Sequence, residues 1–359
     1  MRTFSILVGL TLAGCASVAN ITPNDPDLPT VEPDPDPDPD PDPEPEPLLD
    51  DPVVDLAVAL HSVCVTRESG AVTCWGKGPF THDWDQAPLP EFEITDGVSL
   101  SGMAEHACVL HEDRTVSCWG WDHHKQLGLA AERNERLDTP TPLPEVSDVL
   151  LLSSGHHHVC TLRTDEQIWC WGEPYSNAIG PDVQSTRTPI RVSLPEVRIR
   201  DVSANKEQTC AVGESGTTYC WGDLGVRASG LADYSGQPVE LPMPIDAVRV
   251  DAGWFGGCSW DAEGHAWCWG RLGDEEWPAR LDLPPVQDIS ASYYQTCALL
   301  LDDGRLWCDT ALPSELEGQG GFTHLDVSLG SGCAAHETGR VACWTPESEV
   351  VWTELEGSR

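Results

Sequence analysis

Seven cysteine pairs at near-constant spacing constrain this chain more than any other feature of its sequence. Six pairs enclose nine residues and one encloses ten, and the first cysteines of successive pairs lie 36 to 52 positions apart. The pairs are Cys64 with Cys74, Cys108 with Cys118, Cys160 with Cys170, Cys210 with Cys220, Cys258 with Cys268, Cys297 with Cys308, and Cys333 with Cys343. A unit that returns seven times at this interval predicts a repeat architecture with about one four-stranded sheet per repeat.

The spacing within each pair predicts a β-hairpin. Pairing Cys64 with Cys74 leaves a three-residue loop, Glu68-Ser69-Gly70, whose last residue is expected in the left-handed region that favours glycine. Three other copies have glycine in that slot, whereas the second and third copies have Arg114 and Glu166. Directly opposed residues of a non-hydrogen-bonded pair have Cα atoms about 4.5 Å apart, which a disulfide can bridge.

Two other uses of paired cysteines fit the spacing less well. Zinc sites place cysteines two to four residues apart with further ligands nearby, and redox pairs use C-x-x-C, which does not occur in this chain. Structural disulfides are therefore expected, one in each repeat. Closing a loop of this size contributes about 2.8 kcal/mol per bridge in the chain-entropy model.

A second motif accompanies the cysteines. Tryptophan follows the second cysteine in six copies, and glycine follows in five of these. The motifs CWG, HAC and QTCAL, with the single KQLG at 125–128, resemble the regulator-of-chromosome-condensation repeat family across roughly residues 52–359. The resemblance implies an all-β fold, a seven-bladed β-propeller with one disulfide-stapled hairpin per blade. The sixth copy departs at Cys308-Asp309, and 178–180 (AIG) echoes the QLG motif only weakly.

The N-terminus predicts export and a lipid anchor. One early arginine precedes an apolar core at 4–13 and the tetrapeptide LAGC, which ends at Cys15 and resembles the bacterial lipobox. We expect a signal peptide at 1–14 and lipidation of Cys15, the one cysteine outside the seven pairs; an ordinary signal with a stray cysteine is the alternative. Export agrees with the disulfides, which need an oxidising compartment. The expected location is the bacterial cell envelope, lipid-anchored in the outer membrane and facing either the periplasm or the exterior.

Residues 15–51 read as a tether between the lipidated cysteine and a propeller at 52–359. Proline alternates with Asp or Glu through 33–47, a pattern that favours a disordered, extended, polyproline II-like chain. At about 3.1 Å per residue this stretch alone would reach about 45 Å. Alternating carboxylates on a stiff extended chain do not converge on a cation, so we interpret the segment as a solvated spacer.

Charge excludes one class of partner. The chain carries −39 overall, and outside residues 24–51, with Arg2 set aside, 47 acidic residues face 19 basic ones. Such a domain repels nucleic acid and anionic lipid. We therefore expect no nucleic-acid partner and contact with the membrane only through Cys15.

Catalytic motifs are absent from the sequence. No GxSxG, HExxH, Walker or dinucleotide-binding fingerprint occurs, so we predict no catalytic residue, no cofactor and no metal. His158 occupies a repeat position and is expected to hydrogen-bond to a neighbouring blade. A metal site at His156 and His157 would need ligands from another blade.

Binding is the function that the sequence favours. In the family, the segment just before each first cysteine is a loop, and propellers use such loops to bind partners. The candidate binding residues are His156, His157, Trp254, Phe255, Tyr293 and Tyr294. We predict a monomeric envelope lipoprotein whose propeller binds a protein or a glycan. One alternative is a purely structural envelope component, in which the rings fill the channel as core. The others are a secreted-type enzyme inhibitor and an uncatalogued hydrolase.

Overall fold

The computed structural model describes residues 51–59, 62–76, 93–129, 136–196, 198–224, 234–254, 256–270, 278–293, 295–345 and 350–353. All of them belong to one compact unit, Glu46–Arg359. The predicted signal peptide, Cys15 and the tether up to residue 50 lie outside the described residues, as do Phe255 and Tyr294. In the part of the chain that is described, no helix is long and apolar enough to cross a bilayer.

The described strands form seven separate antiparallel sheets, which are the seven blades of a β-propeller. The first strands are β1 (Val53–Ala59), β4 (Gly97–Met103), β8 (Val149–Ser154), β12 (Ile199–Ala204), β16 (Arg249–Gly253), β20 (Val286–Ala291) and β23 (Phe322–Ser328). Each first strand contacts the first strands of both neighbouring sheets, and β23 contacts β1, so the seven first strands form a closed inner ring.

The remaining strands follow in order outward from this ring. The second strands are β2 (Ser62–Arg67), β5 (His106–His111), β9 (His158–Arg163), β13 (Gln208–Gly213), β17 (Gly256–Trp260), β21 (Thr296–Leu300) and β24 (Ser331–His336). The third strands are β3 (Val72–Gly76), β6 (Val116–Gly120), β10 (Ile168–Gly172), β14 (Thr218–Asp223), β18 (Ala266–Gly270), β22 (Leu306–Cys308) and β25 (Val341–Trp344). Five blades have a described fourth strand: β7 (Leu137–Pro142), β11 (Thr186–Val192), β15 (Tyr234–Glu240), β19 (Ala279–Arg280) and β26 (Val351–Thr353).

The cysteine pairs staple the second and third strands of every blade, as the spacing predicts. In each hairpin the two cysteines are directly opposed, and their Cα atoms lie 4.0 to 4.1 Å apart. The bonded pairs are Cys64 and Cys74, Cys108 and Cys118, Cys160 and Cys170, Cys210 and Cys220, Cys258 and Cys268, Cys297 and Cys308, and Cys333 and Cys343. The prediction of one disulfide-stapled hairpin per blade is confirmed.

The hairpin turns also follow the sequence. Gly70, Gly216, Gly264 and Gly339 take φ values of +79° to +86° at the last loop position. The second and third copies adopt the same conformation without glycine, with Arg114 at φ 68° and Glu166 at φ 59°. The turn geometry is therefore common to the repeats even where the residue is unfavourable for it.

Tryptophan explains how the blades pack on each other. The tryptophan after the second cysteine packs in one apolar cluster with the cysteines of the preceding blade, for example Trp171 with Cys108 and Cys118, and Trp221 with Cys160 and Cys170. Trp75 packs in the same way against Cys333 and Cys343, which joins the first blade to the last. In the sixth copy, which lacks this tryptophan, Trp307 takes the role against Cys258 and Cys268.

The sixth blade departs from the expected four strands. Residues 309–321 between β22 and β23 are described and contain no strand, because the chain turns away directly after Cys308. Asp309 holds the turn, since its carboxylate accepts the Thr296 N–H at 2.8 Å and its own N–H donates to the Thr296 carbonyl at 3.0 Å.

A ring of hydrogen bonds closes the propeller. At every joint between blades, a side-chain oxygen on one inner strand accepts a backbone N–H from the next inner strand. Six joints use the residue opposite the first cysteine: Ser101 with Ser154, Ser153 with Ala204, Ser203 with Ala252, Asp251 with Ala291, Ser290 with Val327 and Asp326 with Val58. Blade 1 has Ala57 there, and Asp55 bonds Leu100 N–H at 2.7 Å instead.

Candidate binding face

The loops between the first and second strands all emerge at the same end of the inner ring. In blades 3 to 6 they contain 155–157, 205–207, Trp254 and 292–293. Short loops between paired strands leave side chains little choice of direction, so the residues at these positions are presented on one face. We call this surface, carrying His156, His157, Lys206, Trp254 and Tyr293, the loop face.

The glycine of the CWG motif supports the loop face from below. Gly172 has φ +111°, and a Cβ there would collide with the His157 carbonyl oxygen. The next residue, Glu173, donates its N–H to that same carbonyl at 2.9 Å. Gly222 and Asp223 repeat the arrangement beneath Glu207 in blade 4. Glycine is thus required where a third strand passes directly under a loop of the face.

Rings from blades 3, 5 and 6 form a row on the loop face, with Lys206 of blade 4 between them. The His156 Nδ1 and His157 Nε2 atoms are 2.6 Å apart. The His156 ring lies 6.3 Å from Trp254 between centroids, and Trp254 meets Tyr293 edge-on at 4.3 Å. The Lys206 ammonium from blade 4 sits 4.0 Å above the Trp254 ring, a cation–π contact. All of these side chains are half-buried.

The row continues through His124 of blade 2 and through Tyr175 of blade 3, a residue that the sequence did not single out. The His124 ring meets His157 at 3.9 Å, and its Nδ1 lies 2.5 Å from the Glu173 carboxylate. Tyr175, which is 41% exposed, lies tilted against His157 with the ring centroids 4.7 Å apart. His124 directly precedes the KQLG motif, in the segment between β6 and β7. That motif is the one signal in the sequence that this segment packs against the next blade.

Two further histidines lie beneath the face, both fully buried. His158 Nε2 is 2.9 Å from the Thr209 hydroxyl of blade 4, which confirms the expected bond to a neighbouring blade. His106 occupies the same repeat position in blade 2 and is 0% exposed. Among the described residues, neither nitrogen of His106 has a hydrogen-bond partner, and neither do the Nδ1 atoms of His157 and His158.

Burial keeps four of these imidazoles neutral. It lowers the pKa of His106 and of His158 to about 3, assisted by the neighbouring imidazoles. It lowers the pKa of His156 to about 4, with Lys206 as the next cause, and that of His157 to about 2, with His156 as the next cause. Imidazoles that stay uncharged near neutrality offer lone pairs rather than positive charge.

The inner ring carries the second group of perturbed residues. Burial raises the pKa of Asp201 to about 6 and those of Asp288 and Asp326 to about 7. It also raises the pKa of Asp55 and, further, that of Asp251. Because these carboxyls bond backbone N–H groups of the inner strands, we assign them to the architecture rather than to a binding site.

In the described part of the chain, one group of side chains brings atoms that could bind a metal close together, and the hydrogen bonds of a hairpin turn explain it. Asp261, Glu263 and His265 lie in the hairpin turn of blade 5. The Asp261 carboxylate accepts the N–H groups of Glu263 and His265 at 3.1 and 2.8 Å, and the His265 ring bonds the same carboxylate. The turn therefore accounts for the cluster.

The seven sheets and the loop face define the class: a disulfide-stapled seven-bladed β-propeller with a row of aromatic and imidazole rings on its loops. No family model matches the chain. It is 26% identical over 282 residues to the guanine nucleotide exchange factor SRM1 of Saccharomyces cerevisiae, covering 66% of this chain and 58% of that protein. It is 27% identical over 282 residues to the ultraviolet-B receptor UVR8 of Arabidopsis thaliana, covering 70% and 63%.

Solved structures agree with the fold. The crystal structure of Prp20p from Saccharomyces cerevisiae matches with a TM-score of 0.58 at 21% identity, over 73% of this chain and 70% of that one. The chain spans about 60% of the length of the two curated relatives above. Together, the repeat motifs, the seven blades and these likenesses make the chain similar to β-propellers of the regulator-of-chromosome-condensation repeat type.

Proposed function

We propose that the chain is a cell-envelope lipoprotein whose propeller binds a protein partner through the loop face. The observation that carries the proposal is the unbroken row His157–His156–Trp254–Tyr293 on half-buried loop positions. Aromatic side chains that keep one surface accessible are the usual anchors of protein interfaces. A glycan is the alternative ligand for the same rings.

The relatives support binding rather than catalysis as the use of this fold. Prp20p is described together with its binding to Gsp1p and histones. A second solved likeness is the ectodomain of the Arabidopsis receptor kinase ACR4, at a TM-score of 0.56. The net charge of −39 disfavours nucleic-acid partners. Net charge does not distinguish among other partners, so the choice of a protein partner rests on the rings of the loop face.

Replacing both central rings tests the binding role. We expect Trp254→Ala/Tyr293→Ala to reduce recovery of a crosslinked partner from intact cells by at least about tenfold, since central aromatic anchors dominate interface energies. The melting temperature should stay within about 2 °C of wild type. Trp169→Ala, on the third strand of blade 3, is the matched control and should leave recovery unchanged. Loss of stability together with binding would instead assign the rings to the core and favour a structural component.

The envelope anchor is tested separately. Cys15→Ser should abolish incorporation of an alkyne-labelled fatty acid and release the chain from the membrane fraction. Equal labelling of wild type and variant would reject the lipid anchor and leave the binding experiment unaffected.

A further inference from the structure

We propose that His124, His156 and His157 bind a divalent transition-metal ion of the Zn²⁺ class at the edge of the loop face. The inference concerns the imidazoles alone and stands whether or not Trp254 and Tyr293 bind a partner. A metal site at His156 and His157 needs a ligand from another blade, and the structure places His124 of blade 2 against His157.

The three rings lie side by side, although their ligand atoms do not yet converge on one point. His156 Nδ1 and His157 Nε2 are 2.6 Å apart, and the His124 and His157 centroids are 3.9 Å apart. Two ligands of a tetrahedral zinc ion, each about 2.0–2.1 Å from the metal, lie about 3.3 Å from each other. Coordination therefore requires the first pair to open by less than about 1 Å and the His124 ring to turn toward it, movements within the reach of side-chain rotation.

Glu173 supplies the support that metal-binding histidines usually have. Its carboxylate lies 2.5 Å from His124 Nδ1, and it would accept a hydrogen bond from that nitrogen and leave Nε2 as the ligand atom. Carboxylates in this position orient the imidazole and raise its basicity. The Glu173 backbone is itself bonded to His157, so one residue positions two of the proposed ligands.

The imidazoles of this cluster leave several of their ring nitrogens unsatisfied. His157 Nδ1, His158 Nδ1 and both nitrogens of His106 are buried without a hydrogen-bond partner among the described residues. A buried unsatisfied polar atom costs free energy, and four within one cluster are uncommon in a native fold. An ion held by the outer three rings would polarise the cluster and fix its tautomers.

Chemistry selects the ion. Three imidazoles with a nearby carboxylate suit Zn²⁺, Cu²⁺ or Ni²⁺ and do not suit Mg²⁺ or Ca²⁺, which prefer oxygen ligands. An imidazole binds such an ion through the lone pair of a ring nitrogen in its uncharged form.

Calorimetric titration of ZnCl2 into chelator-treated full-length protein without a polyhistidine tag tests the site. We expect one ion per chain, and Co²⁺ in its place should give the visible absorption of a tetrahedral site. His156→Ala and His157→Ala should each weaken binding at least about tenfold, and Glu173→Gln should weaken it about tenfold. His111→Gln, at a histidine bonded to Asp96 and Ser117 within blade 2, is the matched control and should bind as wild type does.

Three results would overturn the proposal: no binding by the wild-type chain, full binding by both His156→Ala and His157→Ala, or loss of binding in His265→Ala, which would move the site to the blade 5 turn. If the variants do not fold, the wild-type chain answers the question by itself. Zn²⁺ should then protect His156 and His157, and leave exposed His123 unprotected, from diethyl pyrocarbonate as read by peptide mass spectrometry. Equal modification of all three histidines with and without Zn²⁺ would reject the site.

Discussion

At the residue scale, the tryptophan of the CWG motif does more than fill space. Trp171 Nε1 donates to the Gln126 carbonyl at 2.9 Å, and Trp221 Nε1 donates to the Ala178 carbonyl at 2.8 Å. Gln126 opens the QLG motif and Ala178 opens its weak echo, so both motifs serve to present a backbone carbonyl to the next blade. By contrast, among the described residues the Nε1 atoms of Trp269 and Trp344 have no partner.

This difference predicts unequal costs for the same substitution. Trp171→Phe should destabilise the protein by about 1–3 kcal/mol more than Trp269→Phe, because only the first leaves a buried carbonyl, that of Gln126, without its donor. Both rings are 0% exposed, so they are matched in burial. Urea denaturation of the two variants measures the difference. Equal losses would show that packing alone accounts for the tryptophan.

At the element scale, the hairpin is the part of each blade that the sequence predicts most completely. Cysteine spacing predicted the strand pairing, the staple and the position of the left-handed residue, because all three depend on local chain geometry. The sequence shows AIG as a weak echo of QLG, but the hydrogen bond that both motifs make to the next blade could not be predicted, since a backbone carbonyl and not a side chain makes the contact. The position of His124 beside His157 could not be predicted either, because it depends on how the segment between β6 and β7 folds against the next blade.

The left-handed turn residues give a prediction with opposite signs. Arg114→Gly should stabilise the protein by up to about 1 kcal/mol, since glycine takes positive φ without steric cost and the Arg114 side chain is exposed. Gly70→Ala should destabilise it, because the added Cβ would collide with the Thr95 carbonyl oxygen. Glu166→Gly should gain less than Arg114→Gly, because it also removes an ion pair with Arg198. Thermal and urea unfolding measure all three, and a destabilised Arg114→Gly would contradict the account.

At the scale of the whole molecule, buried carboxyls with raised pKa values lie on the same inner strands whose hydrogen bonds close the propeller. The residues that bond the next blade are Ser or Asp, and in blade 1 the bond moves from the position of Ala57 to Asp55. No single residue type at one repeat position therefore predicts these bonds, and ring closure is visible only in the structure. Asp288 lies on the same inner strands, where its carboxylate accepts the Ile289 N–H of its own strand. Its pKa is raised to about 7 first by burial and then by Asp55 and Asp201, while Arg249 opposes the shift.

The pH dependence of stability follows from this shift. Between about pH 4 and pH 7 the unfolded chain releases the Asp288 proton before the folded chain does, so the free energy of unfolding falls as the pH rises through this window. Buried histidines with lowered pKa values act in the opposite direction below about pH 6.5, which masks the slope in the wild-type protein. The informative quantity is therefore the difference between the wild type and a variant without this carboxyl.

Asp288→Asn, which cannot ionise, isolates the effect. Its stability relative to wild type should rise by about 1 kcal/mol or more from about pH 4 to pH 7. Urea denaturation at each pH unit measures it, with Asp282→Asn at an exposed position as the control that should show no trend. A constant difference across the range would mean that the folded and unfolded chains titrate Asp288 alike.

The way in which the ring closes has a mechanical consequence. Every described sheet is one continuous stretch of chain, so the described strands of the first and last blades share no β-ladder. They meet through the Asp326–Val58 bond and the packing of Trp75 on the last disulfide. Tension applied to the two ends of the polypeptide would load this seam first. Each hairpin beyond it is covalently locked, so the ring would part at the seam and extend between blades while the stapled hairpins keep their length.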